Sequence, residues 1–88
     1  MEIYFDKSFY KSLDKINDRR TKAKVFNFIE TVKSSNKLSS IPNVKKLRGF
    51  KDFYRYKMTP YRIGFQLENN KIILITIKHR KEIYRKFP

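Results

Sequence analysis

Three β-prone runs, Phe53–Met58, Tyr61–Leu67 and Lys71–Lys78, follow one another with only the turn signals Thr59-Pro60 and Asn69-Asn70 between them. Runs so closely spaced read as antiparallel hairpins, which commits the second half of the chain to a sheet. The third run contains IILITI and is apolar at nearly every position, the pattern of a strand covered on both faces, so it is placed centrally. The first run alternates. Phe53, Arg55 and Lys57 point to one face and Tyr54, Tyr56 and Met58 to the other, so one face can pack on a core while the other presents cations.

Ahead of these strands the periodicity changes. Glu2–Phe5 is a short β-prone run, and Asp6 is a natural N-cap for a helix carrying Phe9, Leu13 and Ile16 at helical spacing. Asp18 caps a second helix with Val25, Phe26, Ile29 and Val32 as its apolar stripe and Arg19, Arg20, Lys24 and Lys33 around the rest. The segment SSNKLSSIPNV, residues 34–44, has the composition of a connecting loop. Glu82 to Phe87 is read as a last helical turn or a tail. The order β-α-α-β-β-β gives an α+β fold in which a helical hairpin packs on one face of a mostly antiparallel four-stranded sheet. Residues 1–88 form one domain, with a single modest core and about two-thirds of the unfolded surface buried.

Charge narrows the function. The net charge is +14, and residues 45–88 hold thirteen Lys or Arg against three acids, compared with nine against five in residues 1–44. Such an excess repels itself, so it points to a polyanionic partner contacted mainly by the second half. With no cysteine there is no disulfide framework, zinc-thiolate site or thiol nucleophile. With one histidine and no convincing carboxylate pair, no Ser-His-Asp arrangement can be assembled. The start MEIYFDKSF lacks the pattern of a secretory signal, and the aliphatic run Ile72 to Ile77 is too short to span a bilayer, so the chain reads as cytoplasmic.

The hairpin register sharpens this. If Met58 and Tyr61 close a short turn, Lys57 lies opposite Arg62 and Arg55 opposite Gly64, while Tyr54, Tyr56 and Met58 meet Phe65, Ile63 and Tyr61 on the core face. Like charges directly opposed weaken a sheet, so a bound phosphate is the simplest compensation, and Gly64 leaves room for a ligand to approach. Lys45, Lys46, Arg48 and Lys51 are suited to binding or steering RNA phosphates. Phe9, Phe26 and Ile29 are core residues, and Phe53, Tyr54, Tyr56 and Phe65 are mostly core.

Three blocks, KKLRGFKDFYRYKM at 45–58, YRIGFQLENNKIILITI at 61–77 and HRKEIYRKF at 79–87, resemble the RelE/ParE superfamily of toxins from type II toxin-antitoxin pairs, most closely its RelE-like branch. The resemblance covers essentially the whole chain. It implies a toxin held inactive by a cognate antitoxin, with which it forms a hetero-oligomer. RelE-like members cut messenger RNA in the ribosomal A site without metal or other cofactor, whereas ParE-like members inhibit DNA gyrase on the same fold. It further implies catalytic residues at Arg55, Lys57, Arg62, Arg80 and Tyr84. The chain departs from the family at Arg55, where lysine is familiar, in a shorter Thr59-Pro60 turn, and in the spacing of Arg80 and Tyr84.

Metal-free cleavage would use the 2′-OH before the break as nucleophile and leave a 2′,3′-cyclic phosphate and a 5′-hydroxyl. Arg62, whose planar fork matches phosphate oxygens, suits stabilisation of the phosphorane, a contribution of roughly 2.7–4 kcal/mol per preorganised contact. Lys57, flanked by cations that disfavour one more positive charge, is the best-placed base. Arg80 suits electrostatic support of the leaving oxygen. Tyr84 suits stacking on a base or orienting the 2′-OH. Strict alternation through the Asn69-Asn70 turn also puts His79, the side chain best suited to proton transfer near neutrality, on the Arg62 face as a possible further catalytic residue. Two other functions compete with the nuclease: a gyrase inhibitor, for which the Arg55, Lys57 and Arg62 set would be coincidental, and an RNA-binding protein without chemistry.

Overall fold

Asp6 ends the first strand and starts the first helix in one step. Its backbone is extended, its carboxylate accepts from the Ser8 N–H at 3.0 Å, and it follows β1 (Glu2–Phe5) and precedes α1 (Lys7–Asp14). Asp18 does the same for α2 (Arg19–Ser34), accepting from Arg20 N at 3.0 Å and from the Thr21 hydroxyl at 2.8 Å. The computed structural model describes residues 1–88 throughout. A short 3₁₀ turn (Leu38–Ser40) leads to β2 (Val44–Lys46), β3 (Phe53–Met58), β4 (Tyr61–Glu68), β5 (Lys71–His79) and α3 (Arg80–Lys86).

The sheet has five strands in the order β1-β5-β4-β3-β2. The fifth strand is β2, which lies where a loop was expected to end; three residues with two lysines carry no alternation long enough to announce it. β1 runs parallel to β5 and every other pair is antiparallel. The centre is β4, with β5 beside it. The β4–β5 turn places Asn69 and Asn70 at φ 50° and 63°, the left-handed pair that a two-residue hairpin turn requires and that asparagine tolerates.

Both faces of the sheet are covered. On one, Phe9, Ile16, Val25, Phe28, Ile29 and Val32 of the helical hairpin pack on Met58, Ile63, Phe65, Ile72, Leu74 and Ile77. Phe28 stacks on Tyr56 with centroids 4.0 Å apart, and Tyr54 stacks on Phe65 at 5.7 Å. Phe26 is not in this core; it is 57% exposed and Phe28 takes the place assigned to it. The stripe of Thr21, Val25, Phe28, Ile29 and Val32 is centred on the two valines, and Phe26 lies about 100° round the helix from Val25. On the opposite face, Ile83 and Phe87 at the C-terminal end cover Leu47, Phe53 and Ile75. Of the two readings of the last segment, a helical turn or a tail, the helical one holds, and the helix has its own small core.

One irregularity decides which side chains share a face at the end of the sheet. Gly64 pairs with Thr76 and Phe65 with Leu74, so Ile75 is a bulge that shifts the rest of β5 by one residue. Beyond Leu74 the strand has lost β1 as a neighbour. The Ser8 hydroxyl of α1 donates to the Ile75 carbonyl at 2.6 Å and the Ser12 and Thr76 hydroxyls meet at 3.0 Å, so side chains satisfy an edge that no strand covers.

Candidate active site

The β3–β4 hairpin has the register that parity and a two-residue turn dictate: Met58 opposite Tyr61, Lys57 opposite Arg62, Tyr56 opposite Ile63, Arg55 opposite Gly64. The neighbouring pairings add two more oppositions of like charge, Lys45 with Arg55 and Arg62 with Lys78. Directly opposed cations destabilise a sheet, yet neither of the chain's two ion pairs, Lys33–Glu30 and Lys86–Glu82, reaches these residues. Arg62 pays most for its position. It is only 8% exposed, its Nη1 donates to the Tyr61 carbonyl at 3.0 Å, and its buried Nε has no acceptor within the protein.

Helix α3 completes the cluster. The Arg80 N–H donates to the Pro60 carbonyl at 2.9 Å, which fastens the start of the helix to the tip of the β3–β4 hairpin. Arg80 and Tyr84 are four residues apart on a helix and so share one face, which turns their short spacing into a spatial pairing. Arg55 reaches across from β3: its Nε donates to Tyr84 Oη at 3.2 Å and its Nη1 to the Asn43 carbonyl at 2.9 Å. Burial alone raises the pKa of Tyr84, but the Arg55 hydrogen bond and the charges of Arg55 and Arg62 outweigh it and hold the phenol below its ordinary value of 10.0. Tyr84 nevertheless remains 61% exposed and open to a ligand.

Arg55, Arg62 and Tyr84 thus converge, with Lys57 exposed beside Arg62 on the neighbouring strand. Lys45, Lys46 and Arg48 line, together with Arg55 and Tyr84, a cavity of about 300 Å³ on the β2 side of α3. Lys51 is exposed in the loop and does not line it. His79 lies elsewhere. The Ile75 bulge pairs it with Tyr61 rather than placing it on the Arg62 face, and its Nδ1 caps α3 by accepting from Lys81 N at 3.2 Å. Lys78 takes the position opposite Arg62 instead. Gly64 also differs from expectation: the Phe87 ring occupies the space over it, so near that an added Cβ would stand 2.8 Å from Cδ2.

Two site-supporting residues escaped the sequence reading. Asn43, at φ 66°, turns its carbonyl to receive both Arg55 Nη1 and the Lys57 N–H, each at 2.9 Å, and so sets the two cations side by side. The Pro42-Asn43 dipeptide before a strand was the available signal, since asparagine tolerates the left-handed region. Lys78 was hidden by the bulge. No three His, Asp or Glu side chains come together. The assembled groups are guanidiniums, an ammonium and a phenol, which can neutralise a phosphate, hold an added negative charge and exchange a proton with it.

Comparison with known proteins gives the family. A family model described as the ParE toxin of the type II toxin-antitoxin system parDE matches residues 3–84. Toxin RelE3 of Methanocaldococcus jannaschii is 34% identical over 89 residues, with both chains covered in full. Among solved structures, the RelB-RelE antitoxin-toxin complex of Methanococcus jannaschii superposes with a TM-score of 0.83 at 32% identity, covering 97% of this chain and 99% of the other. The fold extends to the YoeB dimer of Staphylococcus aureus, TM-score 0.73 at 17% identity over 91% and 97% of the two chains. With its order of elements, its cationic hairpin and its full-length relatives, the chain belongs to the RelE/ParE superfamily of toxins from type II toxin-antitoxin systems.

Proposed function

We infer that this toxin is a ribosome-dependent endoribonuclease that cuts messenger RNA and thereby inhibits translation in the cytoplasm, and that a cognate antitoxin of the RelB kind holds it inactive. One observation carries the reading: of three cross-strand cation pairs without counter-charges, two meet at Arg62, whose Nε is buried and unpartnered, and the third is made by Arg55 with Lys45. Like charges opposed in a sheet destabilise it and a largely buried cation without a counter-charge is costly; a phosphodiester at the accessible edge of the Arg62 guanidinium neutralises both. In this reading Arg62 and Arg55 hold the phosphorane oxygens. Tyr84, its phenol acidified by both, takes the 2′-OH proton as its phenolate, and Lys57 adds a cation beside Arg62. Arg80, one helical turn nearer the hairpin tip, supports the leaving 5′ oxygen, which takes its proton from water. The ribosome aligns the message, and the antitoxin's role follows from the RelB-RelE complex to which the chain is similar.

Inhibition of DNA gyrase is the second reading, favoured by the ParE description of the matching family model. Programmed ribosomes with end-mapped message, run beside a supercoiling assay, separate the two. Cuts inside A-site codons, with supercoiling unaffected, are the expected result; intact message with arrested supercoiling would assign the protein to the gyrase inhibitors.

A further inference from the structure

The loop between β2 and β3 is closed by hydrogen bonds at its ends. Leu47 N donates to the Phe53 carbonyl at 2.9 Å, Gly49 and Asp52 hold φ of 77° and 68°, and the Asp52 carbonyl accepts from Leu67 N at 2.9 Å. Leu47 and Phe53, at its two ends, are anchored against Ile83 and Phe87. The residue at its tip is Phe50, 49% exposed and a member of neither core cluster. Folding gains little from an aromatic ring left half in water.

Phe50 forms a wall of the 300 Å³ cavity that also contains Arg55 and Tyr84. Two exposed rings therefore border one space, with a guanidinium between the site and the loop and with Lys45, Lys46 and Arg48 along the rim. Ring faces bind bases and cations bind phosphates, and an unstacked nucleotide presents both. An acidic peptide would satisfy the cations but give the two rings no planar partner. We propose that Phe50 is a base-stacking residue which, with Tyr84, holds the base of one nucleotide adjoining the scissile phosphate and so contributes to the choice of base at the cut. The inference rests on the nuclease reading of the neighbouring Arg55, Arg62 and Tyr84.

The test compares wild type, Phe50→Leu and Phe50→Trp, with thermal melts to check that each variant folds. Each is titrated with a short single-stranded RNA made uncleavable by a 2′-O-methyl group at the break, and with versions of it abasic at either flanking position. Removing one of the two flanking bases, and not the other, should weaken wild-type and Phe50→Trp binding about tenfold. Phe50→Leu should bind the complete strand more weakly than wild type does, and, with only Tyr84 left to stack, should lose less than wild type on removal of the base. A 2-aminopurine at that position should be quenched more strongly by wild type and by Phe50→Trp than by Phe50→Leu. Equal binding of complete and abasic strands by wild type would assign the cavity to phosphate or carboxylate recognition alone and overturn the base clamp, as would a Phe50→Leu variant with wild-type base dependence. The binding assay does not require cutting, so intact message on programmed ribosomes alongside the expected titration would count against the nuclease reading and leave the clamp standing.

Discussion

Arg55 and Tyr84, 29 residues apart in the chain, are joined by a single hydrogen bond from Nε to Oη at 3.2 Å that ties the β3 strand to α3. Arg55 is itself held from behind by the Asn43 carbonyl, so the contact fixes where the phenol stands and lowers its pKa. A depressed phenol is anionic at a lower pH than an ordinary tyrosine. In an ultraviolet titration, the difference between wild type and Tyr84→Phe should therefore show one tyrosinate forming below 10.0, and Arg55→Gln should move that transition upward. A difference spectrum titrating at or above the ordinary value would remove Tyr84 as a proton acceptor.

Arg62 is the residue where function and stability should part. Replacing it with methionine removes a buried unpartnered donor and two like-charge oppositions, with Lys57 and Lys78. Apolar replacements of buried charges are often neutral or stabilising, so the melting temperature of Arg62→Met should hold or rise by about 4–8 °C, while cleavage should fall by about 10²-fold or more. A sharp loss of stability would mean that Arg62 is a structural residue.

Gly64 couples the sheet to α3. A methyl group there meets the Phe87 ring at 2.8–2.9 Å, so Gly64→Ala must displace the ring that anchors the C-terminal end of the helix. The expected cost is about 1–3 kcal/mol of stability, with a drop in cleavage because Tyr84 rides on the same helix. Urea melts read the first and single-turnover cleavage the second; an unchanged protein on both counts would show that Phe87 does not hold α3 in place.

Much of this was legible in the chain because the rules involved are local. Asp6 and Asp18 announced their helices, and the β3–β4 register came from parity plus a two-residue turn, which is why Lys57 and Arg62 could be paired from sequence. What stayed hidden depends on tertiary context. A one-residue bulge inside IILITI leaves no trace in a run that is apolar at odd and even positions alike, and that slip moved His79 to the other face and Lys78 beside Arg62. Val25 and Ile29 are stripe residues with Phe26 or with Phe28; only the sheet beneath decides which ring is buried. The last segment was legible only as a helical turn or a tail, and the seating of Phe87 over Gly64 could not be foreseen from a short charged segment whose apolar anchors, Ile83 and Phe87, are only two.

The caps also give a pH prediction. Asp6, through its bonds from the Ser8 hydroxyl and N–H, and Asp18, through those from the Thr21 hydroxyl and Arg20 N–H, both titrate below the ordinary value of 3.8. Depressed carboxylates stabilise fully above the unfolded value and lose that contribution as pH falls through the folded one. Melting temperature should therefore decline below about pH 4, and the double variant Asp6→Asn, Asp18→Asn, which keeps an oxygen acceptor at each cap but cannot titrate, should show a shallower decline. Parallel declines would locate the acid sensitivity in other groups.

The proposal that Arg55, Arg62 and Tyr84 act together on one phosphate is tested most directly by single-turnover cleavage of ribosome-bound message. The variants are Arg55→Ala, Arg62→Ala, Tyr84→Phe and the triple variant, each shown to be folded by its melt. Groups that act as a unit lose activity non-additively, so each single change should slow cutting by about 10²–10³-fold and the triple should be little worse than the worst single. Folded single variants that cut at the wild-type rate would contradict the site.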